Sequence, residues 1–184
     1  LVLCFTLPAI AGWVIKDWMP VILKDRFGLS QGKAGTTAVL WVQVASIIGA
    51  VLGGIIADLW MRRTDRGRIY TSAVGMMLFL PALFGLGDPG TVTVAIVMLV
   101  MFGIGWGFFD CNNMPILSQV ARPELRATGY GLMNLVSISF GGAGDWGFGL
   151  LQDRGVPLPL IFGGFAGLAL VSVAIMLMIR PREA

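Results

Sequence analysis

The chain contains no histidine. The commonest general base and the commonest nitrogen ligand for metals are therefore both missing, which argues against most hydrolytic and metal-dependent chemistry. Charge is scarce as well. Only 12% of the 184 residues are Asp, Glu, Lys or Arg, where a soluble domain carries about 25%. The net charge of +3 is spread along the chain without a basic run long enough to suggest nucleic acid. Two cysteines, Cys4 and Cys111, lie in or near apolar stretches and give neither a disulfide framework nor a metal-ligand spacing. No charged leader or small-residue cleavage site precedes the apolar run that begins at Leu1, so the opening does not read as a signal peptide. A chain that opens on Leu inside such a run is expected to be a piece of a longer one.

What the sequence has in quantity is apolar surface, 57% of its residues. A soluble core of this length could not hide that much, whereas a bilayer can. A hydrocarbon core about 30 Å thick needs roughly 20 apolar helical residues. Six stretches qualify, at about 2–23, 35–57, 69–86, 91–116, 128–151 and 157–178. They lack the dyad alternation of a membrane barrel, so the expected fold is all-α: one domain over 1–184, six transmembrane helices. The links are short and carry turn residues, among them Gly28 with Ser30, Gly87-Asp88-Pro89-Gly90, Pro123 and Gly155. Short links make consecutive helices antiparallel neighbours.

Basic residues set the expected orientation. Arg62, Arg63, Arg66, Arg68, Arg122, Arg126, Arg180 and Arg182 fall at one end, against Lys24, Arg26, Lys33 and Arg154 at the other. The richer end is expected in the cytoplasm, with both ends of the chain, in a multi-pass protein of the cell membrane.

Glycine is abundant, with 26 residues. Gly49-x-x-x-Gly53 and Gly163-x-x-x-Gly167 present small faces for close helix contact. Gly103, Gly105 and Gly107 crowd the fourth segment, and Gly141, Gly142, Gly144, Gly147 and Gly149 the fifth. Tight packing and a bending region both fit these clusters. Gly54-Ile-Ile-Ala-Asp58 ends the second segment and Gly149-Leu-Leu-Gln-Asp153 ends the fifth, on opposite sides of the membrane, as an inverted 3+3 repeat requires.

The strongest motif runs from Gly54 through Asp58 to Arg62, Arg63, Asp65, Arg66, Gly67 and Arg68. An Asp at a helix end followed by basic residues can form a charge latch, paired in one conformation and released in another; an ordinary basic loop is the alternative. Gly-x-x-x-Asp followed by a basic loop, between the second and third helices of a six-helix unit, resembles the signature of the major facilitator superfamily. This copy is stretched, with Leu59 to Asp65 separating Asp58 from Arg66-Gly67-Arg68. Trp13-Val-Ile-Lys16-Asp17-Trp18-Met-Pro20 resembles the helix-7 segment of facilitators that carry organic anions and acidic sugars. Arg122-Pro123-Glu124-Leu-Arg126-Ala-Thr128-Gly129-Tyr-Gly131-Leu-Met-Asn134 resembles the family's loop between helices 10 and 11 and the start of helix 11. The resemblance implies the C-terminal half, helices 7–12, of a twelve-helix transporter whose N-terminal half is a missing partner.

Ionisable groups at membrane depth cost about 2.5–3.5 kcal/mol on insertion scales, so each needs a partner, a wet cavity or an interface. Lys16 shares a helical face with Trp13 and Pro20. A cation beside an aromatic wall suits an anion, and Pro20 would free a carbonyl near it; snorkelling to the interface is the plainer reading. Asp110, with Trp106 one turn before and Asn113 one turn after, suits a proton carrier or a hydrogen-bond hub with Asn112 and Asn113. Gln43, near Trp41, is a neutral hydrogen-bonding candidate for the solute, and the resemblance turns Asn134 toward the central cavity. Asp145, beside Trp146, reads as a gate contact or an interfacial residue.

The expected function is thus a secondary transporter, a proton-coupled symporter for a small anionic or sugar-like solute. Its substrate residues are Lys16, Trp13, Gln43, Asn113 and Asn134, its coupling residue Asp110, and its gating residues Asp58, Arg62, Arg66, Arg68 and Asp145. No catalytic residue, metal or cofactor is expected. A transporter-derived receptor stays open. A six-helix enzyme is disfavoured, since no Gly-x-Ser-x-Gly elbow occurs and Lys16 stands on a different segment from Ser137 and Ser139. A channel would show a filter segment, and none is evident.

Overall fold

The computed structural model describes residues 1–179; Arg180 and Arg182, counted above toward the basic end, lie outside the described residues. The described residues form helices and no strands. α1 spans Val2–Phe27 and α2 Gln31–Met61. Both run past the expected spans, because a helix leaving the bilayer continues until something stops it. Gly28 stops α1 in the left-handed region, at φ 65°, where a glycine carries no Cβ penalty. Ser30 starts α2 by accepting the Lys33 N–H. α1 passes through Pro8 and Pro20 without interruption. α3 spans Gly67–Gly87, and α4, capped by the Thr91 hydroxyl, spans Val92–Asp110.

The expected single segment over 91–116 is two helices. α4 stops at Asp110, and α5 (Asn113–Val120) resumes after Cys111 and Asn112. Pro115 accounts for the break: it has no N–H to offer the Cys111 carbonyl, and its ring crowds that position. A short 3₁₀ turn, Pro123–Leu125, leads into α6 (Arg126–Asp153), and Gly155 and Pro157 turn the chain into α7 (Leu158–Leu177).

Among the described residues, five spans are long and apolar enough to cross a membrane: α1, α2, α3, α4 with α5, and α7. α6 has the length, at 28 residues, but glycine, serine and polar side chains dilute its hydropathy. It nevertheless runs the same course as α1. Trp13 lies over Gly141 and Trp18 over Gly149, two pairings at different depths that hold the two helices alongside each other.

Helix contacts follow the inverted repeat. α4 packs on α2 and α3, α1 packs on α6 and α7, and α3 packs on α7. Exchanging α1 with α4, α2 with α6 and α3 with α7 maps these pairs onto one another, as two inverted triplets would; α1 also packs on α2, a contact without a comparable α4–α6 counterpart among the described residues. The glycines show how the approach is made. A methyl at Gly49 would stand 2.8 Å from Ile104 Cα, one at Gly53 2.8 Å from Phe108 Cα, and one at Gly107 2.7 Å from the Gly49 carbonyl carbon. α2 and α4 therefore meet backbone to backbone, gaining dispersion contacts where lipid leaves little hydrophobic drive. Gly163 and Gly167 do not act in this way. A methyl at Gly167 would meet nothing within 4 Å, and one at Gly163 only the Phe84 ring. α2 and α6 leave long apolar rows unpacked, including Ile47, Val51 and Ile55 on α2 and Leu135 and Ile138 on α6.

Candidate functional site

Between α1, α2, α4, α5 and α6 lies an open cavity of about 310 Å³, at the small end of the 300–1,000 Å³ usual for ligand sites. α3 and α7 contribute nothing to its lining. Their polar residues, Thr71, Ser72 and Ser172, are buried inside the bundle, and Thr71 and Ser172 bond to the Gly67 and Cys4 carbonyls.

All six residues assigned above to solute or proton meet in this cavity: Trp13, Lys16, Gln43, Asp110, Asn113 and Asn134. Helical spacing brings Trp13 and Lys16 together on α1, with the Lys16 Nζ 4.7 Å from the Trp13 ring centroid. This is cation–π range, so the indole holds the ammonium without neutralising it. No carboxylate pairs with Lys16 among the described residues. Across the cavity, where α4 breaks into α5, the Asn113 Nδ2 donates to Asp110 Oδ1 at 3.0 Å. Asn113 is only 8% exposed, and its Oδ1 has no donor among the described residues. A buried acceptor left in this state costs about 1–3 kcal/mol until a donor arrives. Asn134 donates to the Tyr130 carbonyl one turn back on α6 at 3.2 Å, which leaves its side-chain oxygen to the cavity. Gln43 is the contribution of α2.

An aromatic group backs the polar residues. Trp106 is stacked on Phe79 and Phe102, and Phe109 bridges it to Phe5 on α1. Trp106, Tyr130 and Ser137 also line the cavity and were not among the expected solute residues. A signal for the last two was present, since Tyr130, Asn134 and Ser137 follow the i, i+4, i+7 spacing of one helical face.

The expected gating residues are dispersed. Asp58 pairs with Arg68, Oδ1 to Nη2 at 2.7 Å, at the end of the bundle where α2 passes into α3. Arg66 turns instead to the last turn of α7, donating to the Leu177 and Ile179 carbonyls, and lies 5.5 Å from the Tyr70 ring. Arg62 is exposed and makes no ion pair among the described residues. Asp145 sits against Asp17 of α1, outside the cavity lining, while its neighbour Trp146 points out of the bundle.

The arrangement has one free cation, one carboxylate already engaged by an amide, and neutral hydrogen-bonding groups over an aromatic floor. It can hold a small polar anion and has no assembly of nucleophile and base. Residues 1–144 match the family model of the Major Facilitator Superfamily. The chain belongs to the major facilitator superfamily. It is 32% identical over 122 residues to the Probable galactarate/D-glucarate transporter GudP of Escherichia coli, covering 64% of this chain and 26% of that protein. It is 23% identical over 154 residues to the Probable sulfoacetate transporter SauU of Cupriavidus necator, covering 82% of the chain and 32% of the relative. An MFS-type efflux pump of Mycolicibacterium smegmatis is 22% identical over 144 residues, covering 78% and 33%. The chain thus spans about a quarter to a third of the length of these relatives. All three are named as transporters or pumps.

Proposed function

We propose that this facilitator chain serves a secondary active transporter for a small organic anion of the sugar-acid type, working by alternating access. The observation that carries the reading is Lys16: an unpaired cation held by Trp13 at an open cavity that also collects Gln43, Asn113 and Asn134. The names of two relatives, a galactarate/D-glucarate transporter and a sulfoacetate transporter, support an anionic solute. The solute's carboxylate goes to Lys16 and its hydroxyl groups to the amides, with the Asn113 oxygen as an acceptor in want of a donor. Asp110 carries the coupling proton. The far wall of the cavity comes from a second six-helix half, which covers the unpacked faces of α2 and α6. The end bearing Arg62, Arg63, Arg66, Arg68, Arg122 and Arg126 faces the cytoplasm of a cell whose plasma membrane holds the protein. Asp58 and Arg68 form the latch at that end, with Arg62 and Arg66 beside it and Asp145 as a contact toward the other.

Uptake of radiolabelled galactarate, D-glucarate and sulfoacetate by cells expressing the full-length protein tests the reading. At least one is expected to accumulate, and Lys16→Ala or Asn134→Ala to abolish it; undiminished uptake in both variants overturns the site. Alkalinisation of the medium that accompanies uptake should vanish in Asp110→Asn, and its survival removes Asp110 from coupling.

A further inference from the structure

The break between α4 and α5 is tied to the Asp58–Arg68 pair by a residue that faces neither the solvent nor the cavity. Asn112 is wholly buried. Its backbone N–H reaches the Phe109 carbonyl at 3.3 Å, and its own side-chain Nδ2 serves the Phe108 carbonyl at 2.9 Å. The side chain thus replaces a rung of the helix. Its Oδ1 accepts from Arg68 Nη1 at 3.3 Å, and the other arm of that guanidinium holds Asp58 at 2.7 Å. Flanking the break, Asp110 and Asn113 both line the cavity and are bonded to each other.

We propose that Asn112 is a positioning residue that makes the Asp58–Arg68 pair set the angle of the α4–α5 joint, and with it the place of Asp110 and Asn113 in the cavity. A helix interrupted at a proline has more than one arrangement within reach, and kinks settle where such an interruption lies. A buried amide satisfied at both ends selects one of them. When Arg68 leaves, the Asn112 oxygen is stranded without a donor, and the joint relaxes toward another arrangement. Asp58 is two-thirds exposed, so the pair is open to whatever approaches that end of the bundle. The purpose of the link rests on the transport reading; its existence does not, and its test uses no solute.

The reporter is Cys111, the thiol inside the joint, alkylated by N-ethylmaleimide in the full-length protein in membranes, with Cys4 and every other cysteine replaced by alanine. Asn112 Nδ2 donates to that thiol, whereas Asp58 and Arg68 do not hydrogen-bond to it; their charges act on it with opposite sign, so a change in the same direction in both variants does not come from charge. Arg68→Gln is nevertheless expected to change the alkylation rate by about fivefold or more, and Asp58→Asn in the same direction, as a shift in a local opening equilibrium would. Asn112→Asp keeps an acceptor for Arg68 but gives up the donor to the Phe108 carbonyl and to the thiol itself, so it is read only against its own Arg68→Gln partner: Arg68→Gln should still change the rate there by about fivefold or more, a coupling that a double-mutant cycle reads directly. Asn112→Leu should match Arg68→Gln, and the double variant should exceed neither. An unchanged rate in Arg68→Gln overturns the proposal, as does a double variant equal to the product of the singles. If Asn112→Leu does not reach the membrane, the cycle of Asn112→Asp with Arg68→Gln decides alone. A residue that merely packs would lower the melting temperature of each variant without making the effect of Arg68→Gln depend on an acceptor at position 112.

Discussion

The Trp106 indole occupies the space that a side chain at position 12 would fill: a methyl on Gly12 would lie 2.7 Å from its Cη2. The absence of a side chain on α1 thus lets an aromatic of α4 reach the cavity floor. Gly12→Val is expected to destabilise the protein by about 1–3 kcal/mol through overpacking. Melting of the purified protein in detergent checks this. Trp106→Leu, introduced with Gly12→Val, should recover part of the loss.

Gly49 and Gly107 face backbone atoms, which cannot turn aside as a side chain can. Gly49→Val and Gly107→Val should prevent correct assembly, seen as loss of a monodisperse peak on size exclusion. Gly167→Val has open space and should stay within about 0.5 kcal/mol of the parent, as surface substitutions do.

Arg66 donates to the Leu177 carbonyl at the end of α7 and to the Ile179 carbonyl just beyond it. Removing it leaves those acceptors unserved and withdraws a cation from a helix C-terminus. Arg66→Ala should cost about 1–3 kcal/mol, the usual penalty for hydrogen bonds made by a charged group. Both bonds come from one nitrogen, Nη2, so Arg66→Lys, whose ammonium carries three donors, should recover a good part of this. Thermal melting separates the three.

Arg26, in the last turn of α1, pairs with Asp88 beyond α3, with Asp88 well exposed. Despite the close contact, such a pair is worth at most about 1 kcal/mol and is screened by salt. Asp88→Asn should lower the melting temperature slightly at low ionic strength, and the difference should vanish near 1 M salt.

Among the described residues, Lys16 is the one cation that lines the cavity. Lys16→Gln should raise the half-saturating solute concentration about tenfold or more, a loss of about 1.4 kcal/mol. Lys16→Arg should be milder. Trp13→Leu, which removes the ring beneath the ammonium, should fall between them in an uptake assay.

The all-helical membrane fold and the residues that share the cavity were legible because both follow from cost. Long apolar runs have one stable home, and a Lys, Asp or Asn at membrane depth has few, so Lys16, Asp110, Asn113 and Asn134 stood out. Periodicity does not say which helix stands opposite. The approach of Asp145 to Asp17, the turn of Arg66 toward α7 and the reach of Arg68 to Asn112 are all contacts between helices distant in sequence, and no spacing announces them. Gly163-x-x-x-Gly167 was misread for the same reason: a small face is visible in the sequence, but a partner for it is not. The break at Cys111 had a local cause in Pro115, hidden by a hydropathy that stays high on both sides.

The exchange that maps α1 on α4 and α2 on α6 is one of topology and not of the atoms in contact. Where α2 meets α4, carbonyls and Cα atoms are in contact, and sliding by a fraction of an ångström creates a clash. Where α1 meets α6, the glycines lie beneath the Trp13 and Trp18 rings, so side chains rather than backbone fill the gap. The two seams are counterparts, yet backbone sets the spacing in one and aromatic side chains set it in the other. The helix that carries those two rings also carries Lys16, so the cavity's ammonium stands on the seam built from side chains.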